Sequence, residues 1–104
     1  MEEKLLKIIN HYGVMHQLKH FQSEVFELNE AIIEIQSKKW NLEGKMPEIV
    51  DPIIKNYTLH IAEEIADVMV MLSQFKEYYH IDGKEILKIM NEKINRQLER
   101  IKNE

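Results

Sequence analysis

Apolar residues recur at Val14, Leu18, Phe21, Val25, Leu28, Ile32 and Ile35, in alternating steps of four and three. An α-helix brings such positions onto one stripe. The rhythm returns at Ile54, Tyr57, Ile61, Ile65, Val68, Leu72, Phe75 and Tyr79, and again at Leu87, Met90, Ile94, Leu98 and Ile101. Three glycines and two prolines in 104 residues leave little to interrupt these runs. The chain therefore reads as all-α: an antiparallel helical bundle of three main helices plus a short N-terminal helix. The short helix spans about 2–12 and is broken by Gly13; the first long one runs to about Lys39. Residues 40–51 show no period and read as a loop, ending in Asp51 as N-cap and Pro52 at the first helical position. His80 to Gly83 read as a turn, with Asp82 and Glu85 in capping-box spacing. The short connection predicts antiparallel packing of the last two helices. With no strand alternation, repeat or linker, residues 1–104 read as a single domain.

Composition narrows the function classes. The absence of cysteine excludes disulfides and thiolate metal sites and fits a reducing, cytoplasmic setting. No apolar run approaches the roughly 18–20 residues of a membrane span, and the acidic start Met1-Glu2-Glu3-Lys4 lacks a signal-peptide shape. The formal net charge of -4 argues against a nucleic-acid partner. Phe26, Ile33, Met69 and Val70 lie off the main stripes, so a second copy is the expected cover, giving a homo-oligomer.

Two acidic pairs carry the chemistry. Glu24 and Glu27 share a helix face, as do Glu64 and Asp67 on the next long helix. Each residue precedes a core position: Val25, Leu28, Ile65 and Val68. All four thus flank their stripes on the same side, about 100° round the helix, and would converge if the helices pack on those stripes. Glutamate pairs at this spacing are common on solvated faces. Here, however, two pairs occupy matching flanks, and Asp67 interrupts the apolar run Ile65–Leu72, where an unpaired charge is costly. Four converging carboxylates raise one another's pKa, and a hard divalent cation such as Mg²⁺ or Mn²⁺ relieves that conflict through oxygen ligands.

The segments Glu24-Val25-Phe26-Glu27-Leu28 and Glu63-Glu64-Ile65-Ala66-Asp67-Val68, with Gly13 to Gln17 and the tail Asn91-Glu92-Lys93-Ile94-Asn95-Arg96, resemble the ExxE…ExxD pattern of the MazG-like all-α nucleotide pyrophosphohydrolases. That family's relatives include dimeric dUTPases, dCTPases and phosphoribosyl-ATP pyrophosphohydrolases. The resemblance runs from about Gly13 to Ile101. It implies that Glu24, Glu27, Glu64 and Asp67 ligate Mg²⁺ (or Mn²⁺) and act in catalysis. It further implies a nucleoside triphosphate substrate, cleaved between the α and β phosphates to a nucleoside monophosphate and pyrophosphate. A dimer or tetramer with helices shared between subunits is implied as well. One departure concerns substrate choice: 36 residues (28–63) separate Glu27 from Glu64, longer than in the short members of the family, with the extra length in Trp40–Asn56.

The remaining polar residues divide into two groups. Lys93, Arg96 and Arg100 share a flank of the last helix. Lys93 and Arg96 are the candidate phosphate-binding pair, against a plain role complementing the helix dipole. His20 and His60 lie one turn before Glu24 and Glu64, as contacts to the site or the substrate. His16 with His20, and His60 with Glu64, also have zinc-like spacing. Glu77-Tyr78-Tyr79-His80 is a lone ExxH at a helix end, where di-iron bundles need two. Trp40 reads as a core plug more readily than as a base-stacking platform. The competing reading is a non-catalytic helical oligomeric interaction module, its carboxylates paired with lysines across helices. No Walker-type glycine loop or nucleophile constellation supports other phosphoryl or acyl chemistry.

Overall fold

A computed structural model describes residues 1–104. Its four helices are α1 (Glu2–Tyr12), α2 (Val14–Asn41), α3 (Pro47–Tyr78) and α4 (Gly83–Lys102), with no strand. Gly13, at φ 92°, makes the break between α1 and α2 in a left-handed conformation that side chains disfavour, and its amide closes α1 on the Ile9 carbonyl. α2 and α3 pack most extensively, and α1 lies against both. The two long helices are antiparallel: the start of α2 meets the end of α3 through Gln17 with Gln74 and Phe21 with Phe75.

α3 begins five residues earlier than its sequence suggests. Met46 precedes it in extended conformation, Pro47 takes the first helical position and Glu48 complements the dipole in the first turn. Asp51 is therefore not a cap, and Pro52 lies inside the helix. There it removes one donor near the helix start, where few intrahelical bonds are lost. The loop shrinks to the residues between Asn41 and Pro47, turning on Gly44 at φ 83°. Asp82 caps α4 by accepting from the Lys84 amide at 2.9 Å.

The packed seam differs in phase from the expected stripes. On α2 the positions turned inward are Gln17, Phe21, Glu24, Leu28, Ala31 and Ile35, whereas Leu18, Val25 and Ile32 are exposed. On α3, Tyr57, Ile61, Glu64, Val68, Met71 and Gln74 face in, and Ile65 and Leu72 are exposed. Val14, Phe21, Leu28 and Ile35 belong to both phases, so the heptad spacing leaves the roll of the helix open. The observed roll carries Glu24 and Glu64 into the seam rather than along its flank.

α4 does not pack antiparallel on α3 as expected. It buries no residue and has at most marginal contact with the other helices. Only eight residues are buried in the whole chain, which leaves most of its apolar surface open. The radius of gyration is 18.1 Å, against about 13 Å for a compact domain of this length. Trp40, at 77% exposure, is not a core plug. No helix is long and apolar enough to cross a membrane.

Candidate metal centre

The roll of α2 and α3 brings together three of the four acidic candidates. One carboxylate oxygen each from Glu24, Glu27 and Glu64 lies within 4.8 Å of the others. Glu24 and Glu64 are nearly buried, each at 12% side-chain exposure, while Glu27 is exposed. Glu24 Oε2 and Glu64 Oε2 are buried with no hydrogen-bond partner. Buried carboxylate oxygens are almost always satisfied in folded chains, so two orphans side by side need an explanation. A divalent cation taking oxygen ligands would supply one, since the donors are hard, anionic and convergent.

Asp67 stands beside this group rather than in it. It is exposed, lines the same cavity as Glu24, and its charge acts on Glu24. Burial, followed by the charges of Asp67 and Glu27, pushes the Glu24 carboxyl above its ordinary value of 4.5; His20 acts in the opposite sense.

His20 Nε2 lies 3.3 Å from Glu24 Oε1, and His60 Nε2 lies 3.8 Å from Glu64 Oε1. Each histidine thus lies beside the Oε1 oxygen of the glutamate one turn along its own helix. Neither belongs to the close carboxylate group. His16 donates from Nδ1 to the Gln17 side-chain Oε1 at 2.9 Å and is not part of the close carboxylate group. No lysine pairs with Glu24, Glu27, Glu64 or Asp67; the chain's one lysine bridge joins Lys76 to Glu77 at 2.8 Å.

Lys93 and Arg96 lie together with Gln97 and Arg100 along α4. Within one chain they line no part of the cavity at Glu24 and Asp67. Sequence reasoning passed over two further residues of the region, Gln17 and Gln74. They are 3% and 2% exposed and joined by a 2.8 Å bond from Gln17 Nε2 to Gln74 Oε1. The available signal was Gln17's place in the spacing 14, 17, 21, 24, 28, the phase that the fold selects.

Comparison of the chain with protein-family models, with curated proteins and with solved structures finds no match in any of the three.

Proposed function

We propose that this chain is a metal-dependent nucleoside triphosphate pyrophosphohydrolase, cleaving between the α and β phosphates to release a nucleoside monophosphate and pyrophosphate. The observation that carries the reading is the convergence of Glu24, Glu27 and Glu64 from two helices, with two buried oxygens that nothing in the chain satisfies. The resemblance of Glu63–Val68 and Glu24–Leu28 to the MazG-like pattern points the same way.

Glu24, Glu27 and Glu64 would hold Mg²⁺ or Mn²⁺, with Asp67 at their side. When bound, the cation supplies positive charge against the phosphates and lowers the pKa of water. The rest of the work falls to side chains. Asp67, exposed at the cavity, accepts at a carboxylate oxygen the proton of the water that attacks phosphorus. His20 and His60 lie beside the Glu24 and Glu64 carboxylates, where their protonated rings would add positive charge at the site. Lys93 and Arg96 bind phosphate oxygens, Arg96 with its planar fork. Because α4 lies apart from the acidic group within one chain, this role assigns both residues to a neighbouring copy. The same dimer or tetramer would cover the exposed Leu18, Val25 and Ile32. A cysteine-free chain that turns over nucleotides belongs in the cytoplasm.

The exposed apolar faces also suit a non-catalytic oligomeric module, but such a module gives no reason for two unsatisfied buried carboxylates. The test is pyrophosphate release from a panel of canonical and modified nucleoside triphosphates, with Mg²⁺, with Mn²⁺ and with chelator. Release from at least one substrate, abolished by chelator, is expected. No release from any of them by folded, oligomeric protein would overturn the reading in favour of the module.

A further inference from the structure

Hydrophobic packing has no direction of its own, and the apolar pattern of α2 fits two rolls on α3. Val14, Phe21, Leu28 and Ile35 serve in both. The observed roll completes the seam with Gln17, Glu24 and Ala31. The other would complete it with Leu18, Val25 and Ile32, which are exposed at 37%, 41% and 43%. α3 repeats the choice, turning Glu64 and Met71 inward in place of Ile65 and Leu72. On burial alone the observed seam is the poorer one. It gives up three branched apolar side chains and takes in two carboxylates whose Oε2 atoms have no partner. Something other than apolar area holds the roll.

The one directional side-chain link between helices is the 2.8 Å bond from Gln17 Nε2 to Gln74 Oε1. Every other side-chain hydrogen bond, and every ion pair, stays within one helix or its cap. Both glutamines are buried, and both are held from the far side. His16 Nδ1 occupies Gln17 Oε1, which leaves the Gln17 amide nitrogen to Gln74, and Gln74 Nε2 rests on the Met71 sulfur at 3.7 Å. The His16 ring stacks in turn on Tyr12 of α1, with centroids 5.0 Å apart and planes 15° from parallel. Exchanging 17, 24 and 31 for 18, 25 and 32 would turn α2 by about 50° and carry a side-chain tip about 5 Å round the helix. The bond between the amides does not survive such a turn. A single buried polar position fixes register in coiled-coil seams in the same way, at a cost in stability.

We infer that Gln17 and Gln74 are positioning residues, whose bond holds α2 and α3 in the roll that turns Glu24 and Glu64 toward each other. Gln17 lies two turns before Glu24 on one stripe, so what turns one inward turns the other. The inference rests on the hydrolase reading for the use made of that convergence, and not for the roll itself.

The chain has no cysteine, so a single introduced thiol reports the roll without background. Ala31→Cys places it where only the observed roll turns inward, and Ile35→Cys where both rolls do. Labelling of each by a maleimide is followed in metal-free protein, with and without Gln17→Met/Gln74→Met, which keeps the unbranched side-chain length and leaves no amide unpaired. The double variant should melt cooperatively, label at Ala31→Cys roughly ten-fold faster, and label at Ile35→Cys at an unchanged rate. Without either thiol, it should bind Mn²⁺ more weakly by roughly 10–100-fold. An equal rise at both positions, or loss of cooperative melting, would make the pair a plain stability element and overturn the inference. Unchanged labelling at Ala31→Cys, or faster labelling there with Mn²⁺ binding intact, would overturn it as well. Thiols that behave as expected in a protein that binds no Mn²⁺ would keep the positioning pair and count against the hydrolase. Mn²⁺ binding with unmoved thiols would keep the metal site and sink the pair.

Discussion

The half of the α2–α3 seam nearer the loop is apolar: Ala31 and Ile35 are buried, Leu42 closes the end, and Ile54, Tyr57 and Ile61 are half-buried across from them. The other half carries Gln17, Glu24, Glu64 and Gln74 at equivalent inward positions. The first half gains stability from every methylene it hides. The second hides carboxylates whose oxygens find no partner, which costs stability in a chain that buries only eight residues. Two ends of one pair of helices thus differ in kind, one packed through apolar side chains and the other carrying inward carboxylates and amides, the half to which the proposed function assigns binding. Such a local sacrifice of stability is characteristic of functional sites.

The largest effect expected from separating these halves is on turnover. Glu27→Gln or Asp67→Asn should lower pyrophosphate release by about 10²–10⁴-fold, with helicity by circular dichroism intact. Full activity in either would remove that residue from the chemistry. Ile35→Ala, in the apolar half, should do the opposite. It should lower unfolding stability by about 2–4 kcal/mol, read by denaturant titration, and leave turnover per folded molecule unchanged.

Smaller effects sharpen the contrast. Glu24→Gln removes a crowded, nearly buried charge, so the metal-free protein should gain roughly 1 kcal/mol, equivalent to about 4–8 °C in Tm, while losing any stabilisation by Mg²⁺. The pH response follows from the raised Glu24 pKa. The fold favours the protonated acid, so above 4.5 the native state holds more protons at this site than the unfolded chain does. The contribution of Glu24 to metal-free stability is therefore complete below 4.5 and is lost as pH rises through the raised value. Thermal melts from about pH 4 to 7 should show wild type falling relative to Glu24→Gln across that window. Parallel curves would mean that burial and the Asp67 and Glu27 charges do not act on Glu24 as the geometry requires.

The helical class, the break at Gly13 and the turn before Gly83 were legible in the spacing of apolar and charged positions; of the four acidic residues singled out there, Glu24, Glu27 and Glu64 converge and Asp67 does not join them. The roll of the helices was not. Positions 14, 21, 28 and 35 satisfy two phases, and hydropathy favours Val25 and Ile32 over Glu24 and Ala31. A pattern of apolar residues cannot register a seam that takes carboxylates and amides inward, and Gln17 and Gln74 were missed for that reason. The start of α3 was misplaced because Asp51-Pro52 and Met46-Pro47 both look like helix starts, and the second wins by adding helical turns that half-bury Val50, Ile53 and Ile54. α4 carries a clear amphipathic stripe, but a stripe does not say whether its partner lies in the same chain.

The central claim is that the polar half of the seam is shaped for a cation. Its most direct test is Mn²⁺ binding by the purified, metal-free protein, followed by the loss of the free-ion electron paramagnetic resonance signal, with Glu64→Gln alongside. The account predicts saturable uptake by wild type, weakened by a factor of roughly 10–100 in the variant. Uptake by neither protein, or equal uptake by both, would contradict it.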